Sequence, residues 1–139
     1  MKQRVTLITL GVDNLERSLA FYRALGWETQ GIVGEEFENG AVFFFDLQKG
    51  LALDLYERKN LAKDAEIEIG PKSSTEFSLG YIVKSEQEVD EVMAEAQKAG
   101  AKVTKKPQKA FWGGYHGYFQ DPDGHLWEVA YNPETKVED

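Results

Sequence analysis

The sequence contains no cysteine and only two histidines, His116 and His125. Without cysteine the chain can form no disulfide, no thiolate nucleophile and no thiolate metal site. Two imidazoles are too few for a histidine-rich metal centre. The sequence also lacks any run of about 18 apolar residues, which argues against a transmembrane helix. We therefore expect a cytoplasmic protein without a signal peptide.

Basic residues are scarce as well. The 16 Lys and Arg residues are outnumbered by 24 Asp and Glu residues, and the net charge is −8. Nucleic acids and anionic membranes are bound by basic surfaces, so neither is expected as a partner. An acidic cavity in such a chain would favour a cationic ligand.

The residues that are present describe one folded domain of 139 residues, with 42% hydrophobic and 12% aromatic residues. Apolar periodicity and turn residues predict the order strand, helix and three strands, occurring twice. The first helix is expected to begin at an Asp13–Asn14 cap, with Glu16 completing a capping box, and to end at Gly26. The second helix is expected to follow a Ser85–Glu88 capping box and to end at Gly100. The predicted strands are residues 5–12, 27–33, 41–45, 51–56, 77–83 and 101–104, followed by a final hairpin around residues 121–124.

The two halves also match each other as an internal repeat. A shift of 74 residues superimposes four glycine or aromatic positions and one acid: Gly26 on Gly100, Gly40 on Gly114, Phe45 on Phe119, Gly50 on Gly124, and Asp54 on Glu128. Before the helix the shift is 71, so the second helix is about one turn longer. The predicted modules are residues 1–58 and 75–133, with a linker at 59–74 and a tail at 134–139.

A half of this size is marginal alone, because it covers only one face of its sheet with a helix. The expected fold is therefore α+β, with two tandem βαβββ modules forming a curved, mostly antiparallel sheet around a cleft. Alternation along the last strand places Trp127 and Val129 toward the helix and Glu128 on the other face. A carboxylate in a largely apolar strand costs free energy unless it faces water, a partner or a ligand. Asp54 and Glu128 would then be equivalent acids on the cleft side.

Two stretches resemble the glyoxalase/bleomycin resistance/dioxygenase superfamily, also called the vicinal oxygen chelate superfamily. Residues 12–22 (VDNLERSLAFY), followed by Leu25-Gly26-Trp27, are similar to the opening of such a protein. Residues 121–128 (DPDGHLWE) are similar to its last hairpin. The resemblance spans nearly the whole chain and implies this fold, a small-molecule partner and a homodimer. It specifies the fold far more closely than the activity.

In metal-using members, four ligands come from the first and last strand of each module. The resemblance places these positions at Leu7, Asp54, Ser78 and Glu128. Leucine cannot coordinate a metal and a serine hydroxyl is a weak ligand, so we expect no metal cofactor. If a divalent metal ion did bind, Asp54 and Glu128 would be its ligands, with several waters.

Glu128 is the candidate catalytic residue, as a general base, or a ligand-binding acid; the alternative is a carboxylate that is solvated or paired with Arg or Lys. Trp112, Tyr115 and Tyr118 lie around the flexible pair Gly113–Gly114 and are predicted to line a ligand cavity; the alternative is a set of core aromatics in a bulged hairpin. The predicted ligand-binding set is Leu7, Asp54, Tyr56, Ser78, Trp112, Tyr115, Tyr118 and Glu128. His116 is a possible acid or base, although a hydrogen-bonded structural histidine is the commoner case.

Three functions fit these observations. The first is a metal-free protein that binds an aromatic or amphipathic organic ligand in the cleft between the modules, as bleomycin-resistance members sequester a toxic compound. The second is a metal-dependent lyase, isomerase or dioxygenase resembling glyoxalase. The third is a protein-interaction module with a vestigial cavity. Metal content and the effect of Glu128→Gln on ligand binding distinguish them.

Overall fold

A computed structural model describes residues 1–138 and divides the chain into two compact units, Met1–Pro71 and a second unit that begins at Lys72. The boundary falls within the linker predicted at residues 59–74. Asp139, the last residue of the predicted tail, lies outside the described residues. No helix in residues 1–138 combines the length and the apolar character that crossing a membrane requires.

The first unit is a four-stranded sheet with helices. Its strands are β1 (Leu7–Val12), β2 (Ile32–Val33), β3 (Val42–Asp46) and β4 (Ala52–Glu57), and its helices are α1 (Leu15–Ala24) and α2 (Arg58–Asp64). A short 3-10 turn, Gln48–Gly50, joins β3 to β4. The strand order is β1-β4-β3-β2, in which β1 runs parallel to β4 and the other pairs are antiparallel.

The second unit repeats this arrangement. Its strands are β5 (Ser78–Val83), β6 (Lys102–Lys109), β7 (Tyr115–Gln120) and β8 (Leu126–Tyr131), and its helix is α3 (Glu86–Ala99). The order β5-β8-β7-β6 again has one parallel pair, β5 with β8, and antiparallel neighbours elsewhere. The predicted α+β fold is confirmed as two four-stranded mixed sheets, one in each unit.

Strand register confirms the internal repeat. Thr9 pairs with Asp54 across β1 and β4, and Gly80 pairs with Glu128 across β5 and β8. The shift of 71 residues relates Thr9 to Gly80, and the shift of 74 relates Asp54 to Glu128. The two acids therefore occupy equivalent positions in their own sheets.

Each sheet buries one face against its helix. In the first unit, Leu53 and Leu55 are fully buried, and the ring of Tyr22 on α1 packs against Phe45. In the second unit, Val89, Met93 and Ala96 form the buried stripe of α3. Spacings of three and four residues place these side chains on one helix face. On the sheet, Phe119 stacks on Trp127 with their ring centroids 6.0 Å apart.

Helix caps follow the sequence closely in α3 and less closely in α1. Ser85 Oγ accepts from the Glu88 backbone N–H at 3.1 Å, as predicted, and Gly100 ends α3 with φ at 111°. At α1 the N-cap is Asn14, which accepts from the Arg17 N–H. The predicted box from Asp13 to Glu16 was therefore wrong by one residue.

Two element boundaries also differ from the prediction. The strand expected at residues 27–33 is reduced to Ile32–Val33, because Gly31 adopts φ of 111° and interrupts extended backbone. Conversely, the strand expected at residues 101–104 continues to Lys109, with register irregularities that let it follow β7. Bulges of this kind bend an edge strand without ending its pairing.

Candidate ligand site on the second sheet

The second sheet has one face toward α3 and one face away from it. Gly117 lies under Met93 of α3, since a Cβ at residue 117 would come within 3.0 Å of the Met93 methyl carbon. Alternation then places His116 and Tyr118 on the opposite face. Tyr118 pairs with Glu128 in register, so Glu128 shares that face. We call it the non-helical face; it consists of Ser78, Gly80, Ile82, His116, Tyr118, Gln120, Leu126, Glu128 and Ala130.

Glu128 holds two polar neighbours on this face. Its Oε2 lies 2.6 Å from His116 Nδ1, which is a short distance typical of a hydrogen bond with an ionised partner. The Tyr118 hydroxyl also donates to the Glu128 carboxylate. Burial, together with the charge and hydrogen bond of Glu128, raises the pKa of Tyr118 above its ordinary value. The carboxylate thus accepts from both side chains.

His116 is held with one nitrogen occupied. The residue is only 4% exposed, and its Nε2 has no hydrogen-bond partner within the described residues. The rings of Trp112 and Tyr118 meet the imidazole edge-on, with centroids 5.5 and 5.4 Å away. Such contacts fix the plane of the ring, and Nε2 is a buried atom without a partner among the described residues.

The loop from β6 to β7 positions Trp112. The Ala110 N–H donates to the Gly114 carbonyl and the Gly113 N–H donates to the Ala110 carbonyl, which closes a tight turn. Gly113 has φ of 98°, a conformation that favours glycine. A Cβ on Gly114 would lie 1.9 Å from the Trp112 ring, so only glycine allows the indole to lie over this backbone. Both glycines therefore serve the placement of Trp112 beside His116.

The turn that follows β7 is stabilised by Asp121 and His125. Asp121 Oδ1 accepts from the backbone N–H groups of Asp123 and His125, and its Oδ2 lies 2.7 Å from His125 Nδ1. Asp121 is 4% exposed. His125 thus stabilises the hairpin turn and lies apart from Glu128.

The equivalent face of the first sheet is different. Asp54 is 5% exposed, and its carboxylate shares a hydrogen bond with Thr9 while Oδ1 has no partner among the described residues. Burial raises the pKa of Asp54 above its ordinary value. The positions equivalent to His116 and Tyr118 are Val42 and Phe44.

The remaining residues predicted to bind a ligand lie in separate surroundings. Leu7 is 45% exposed, and Ser78 is exposed at the start of β5. Tyr56 donates to the Asn39 carbonyl and lines a groove of about 500 Å³ in the first unit. Tyr115 donates to Asp90 of α3 at 2.7 Å, which places it on the helical face. The structure therefore brings Trp112 and Tyr118 together with Glu128, but not Tyr115.

The donor set does not fit the metal site of the family that the sequence resembles. Leu7 has no donor atom, Ser78 offers only a hydroxyl, and Glu128 is already engaged by His116. Within residues 1–138 no group of three or more His, Cys, Asp or Glu side chains converges on a point where an ion could sit. A divalent cation needs more ligands than these residues provide.

His116 is not in the ligand-binding set predicted from the sequence, where it was named only as a possible acid or base. A usable signal was present in the turn at residues 121–124. Its length pairs Gln120 with Leu126, and counting back pairs Tyr118 with Glu128, which puts His116 diagonally next to the acid on the same face.

The chain is similar to one known protein family. A family model described as Glyoxalase/Bleomycin resistance protein/Dioxygenase superfamily matches residues 4–129. A comparison with curated proteins finds no matching sequence.

Solved structures match over almost the full length. A glyoxalase-related enzyme from Fulvimarina pelagi is 32% identical, with a TM-score of 0.83, and the match covers 99% of this chain and 94% of that one. FosX, a fosfomycin resistance protein from Listeria monocytogenes, is 25% identical with a TM-score of 0.69, over 95% of each chain. A lactoylglutathione lyase from Agrobacterium tumefaciens is 21% identical with a TM-score of 0.69, over 99% of this chain and 100% of that one, which shows a shared fold alone. A FosX variant has also been crystallised with Mn(II) and 1S,2S-dihydroxypropylphosphonic acid.

Proposed function

The chain belongs to the glyoxalase/bleomycin resistance protein/dioxygenase superfamily, and we propose that within it the chain binds a small organic ligand without a metal cofactor. The observation that carries this proposal is the pair of hydrogen bonds that Glu128 accepts. The acid at the position of a family metal ligand is bonded to His116 Nδ1 at 2.6 Å and to the Tyr118 hydroxyl. A cation would have to share this carboxylate with both donors, and Leu7 and Ser78 offer no charged ligand beside it.

The proposed ligand is aromatic or amphipathic and sits on the non-helical face of the second sheet. Trp112 is 39% exposed and offers a large apolar surface with an N–H donor. Tyr118 and Glu128 are half-buried and supply polar atoms beside it. Binding sites commonly combine apolar walls with a few fixed polar groups, which is the arrangement at this position.

Gly80 allows a direct test of this site. It faces Glu128 in register, and a Cβ added to it would meet no atom within 4 Å. Gly80→Leu should therefore fill space on the non-helical face while leaving stability almost unchanged. Ala20→Leu, at an exposed position of α1 in the first unit, is the matched control for added apolar volume.

The assay is a fragment screen by tryptophan fluorescence and thermal shift, with affinities measured for the hits. We expect hits that bind the wild type and Ala20→Leu equally and bind Gly80→Leu at least tenfold more weakly. A screen in which no fragment binds, or in which Gly80→Leu binds every hit normally, would refute a ligand site on this face.

Absence of the family metal is tested separately. We expect no stoichiometric metal in elemental analysis and no stabilisation by Mn²⁺, Ni²⁺, Zn²⁺ or Fe²⁺. An ion that filled a site at a hundred times its dissociation constant would add about 2.7 kcal/mol of stability, which a melting curve resolves. Metal bound in a one-to-one ratio would overturn this part of the proposal.

The second candidate is an enzyme, and one observation favours it. A carboxylate that holds the Nδ1 of an imidazole and leaves Nε2 free is the arrangement by which proteins orient a histidine base. Lyase, isomerase or dioxygenase chemistry would then involve Glu128 as the predicted catalytic residue. Turnover of a bound hit that is lost in Glu128→Gln, with binding retained, would favour the enzyme over the binding protein.

We also propose that the protein is a homodimer. Phe111 is 99% exposed and Phe77 is 49% exposed in the second unit. Large apolar side chains exposed to this degree favour association with a partner. Light scattering should give the mass of a dimer, and a monomer at micromolar concentration would refute this assembly.

A further inference from the structure

The buried Nε2 atom of His116 on the second sheet has no role in the proposed function so far. His116 is only 4% exposed, and its Nε2 has no hydrogen-bond partner among the described residues. A buried polar atom left unpaired destabilises the folded state. Proteins seldom keep such an atom unless it binds water, an ion or a ligand.

The fold does not require this histidine. The repeat provides an internal comparison, since the shift of 74 residues relates His116 to Val42 and Tyr118 to Phe44. The first sheet thus has the same strand order, the same parallel pair and an acid at the same register position, but no imidazole or phenol at these two equivalent positions. The hydroxyl that bonds Asp54 belongs instead to Thr9 on the neighbouring strand. The polar trio His116, Tyr118 and Glu128 is therefore an addition to the fold and not a condition for it.

The hydrogen bonds define which chemistry Nε2 offers. A carboxylate only accepts hydrogen bonds, so the short contact to Glu128 requires the proton on Nδ1. With the ring neutral, Nε2 is then an acceptor with its lone pair in the ring plane, whereas protonation would turn Nε2 into a donor. The edge-on contacts with Trp112 and Tyr118 keep this plane fixed.

We infer that His116 is a recognition residue whose Nε2 accepts a hydrogen bond from an O–H or N–H group of the ligand. The inference rests on the proposed function and narrows its ligand to alcohols, phenols or amines attached to an apolar or aromatic body. The apolar part packs on Trp112 while the donor reaches Nε2. A ligand whose donor is methylated loses this hydrogen bond and leaves Nε2 unpaired.

The probes are matched fragment pairs that differ only at the donor, such as benzyl alcohol with benzyl methyl ether and a primary benzylamine with its N,N-dimethyl derivative. Binding is followed in protein labelled with ¹⁵N-histidine, which contains only two imidazoles. His125, whose Nδ1 is bonded to Asp121, is the internal control. We expect the donor form to bind about tenfold more tightly, equivalent to about 1.4 kcal/mol, and to shift the His116 Nε2 resonance but not that of His125.

The variants copy the residues that the first sheet already accepts. His116→Val should bind both members of a pair equally, whereas Tyr118→Phe should keep the preference for the donor form. Pairs that bind the wild type without discrimination, or a His116 Nε2 resonance that the donor form leaves unmoved, would overturn the inference while the proposed function stands. If no fragment binds the wild type, the proposed function itself fails. The resonance measurement on the wild type needs no variant to fold.

Discussion

Replacing Glu128 and His116, singly and together, measures how much their hydrogen bond contributes to the stability of the protein. In Glu128→Ala the bond at 2.6 Å is lost and both nitrogens of His116, a residue 4% exposed, are left without a partner. Net losses for hydrogen bonds to charged groups are about 1.5–3 kcal/mol. Glu128 keeps 24% of its side chain exposed, so the lower end of that range applies. We expect Glu128→Ala to destabilise the protein by about 2 kcal/mol.

His116→Val should cost much less, because it removes the same hydrogen bond but also removes the unpaired Nε2. The double variant should therefore be more stable than Glu128→Ala alone, since valine leaves no orphaned nitrogen. Adding His116→Val to Glu128→Ala should raise the free energy of unfolding by about 1 kcal/mol or more. Two destabilising substitutions that acted additively could not give such an increase.

Urea denaturation at pH 7 measures this double-mutant cycle, with the slopes checked for constancy. The control is His125→Val in the Glu128→Ala background, which should be additive because His125 is bonded to Asp121. Additive free energies for the His116 and Glu128 substitutions would refute the reasoning, as would a double variant less stable than Glu128→Ala.

Three further predictions concern stability. Burial raises the folded pKa of Asp54 above its unfolded value, so the stability from this group is present below the unfolded pKa and is lost as pH rises through the folded pKa. Asp54→Asn should therefore be more stable than the wild type at pH 7. A wild type whose stability increases relative to the variant between about pH 4 and pH 7 would contradict this prediction. Ser85→Ala should cost about 1 kcal/mol by removing the bond to the Glu88 N–H, and Ser85→Thr should restore most of it in the same denaturation assay. Gly117→Ala should cost about 1–3 kcal/mol because its methyl would meet Met93 and backbone, whereas Gly80→Ala should be neutral, and equal melting temperatures for the two variants would rule the packing argument out.

The sequence carries most of the fold because its strongest signals are local. Ser85 and Glu88 predict the start of α3, and Gly100 predicts its end, since cap and glycine chemistry act within a few residues. The repeat predicted that Asp54 and Glu128 occupy equivalent positions. It did not predict which strands are neighbours, and the parallel pairs β1 with β4 and β5 with β8 appear only in the structure. The start of α1 shows the limit of such signals: Asp13 and Asn14 are both good caps, and only tertiary context selects Asn14.

The site was harder to predict because it depends on side-chain direction across strands. Tyr115 and His116 are adjacent in the sequence, yet one bonds to Asp90 on α3 and the other to Glu128 on the opposite face. A shift of one residue in the register would exchange them. Trp112 posed a similar problem, since its position follows from the conformation of Gly113 and the missing Cβ of Gly114.

The two sheets together indicate where the chemistry of this chain lies. Both keep an acid at the same register position, and in both the acid is at least partly removed from water. In the first sheet Asp54 has Val42 and Phe44 as neighbours and keeps an unpaired Oδ1. In the second sheet Glu128 accepts hydrogen bonds from His116 and Tyr118, and the unpaired buried atom is the His116 Nε2. Burial raises the pKa of Asp54 despite its hydrogen bond with Thr9 and so favours the neutral form, whereas the Glu128 carboxylate orients a histidine. This difference between the modules is the reason for proposing the ligand site on the second sheet.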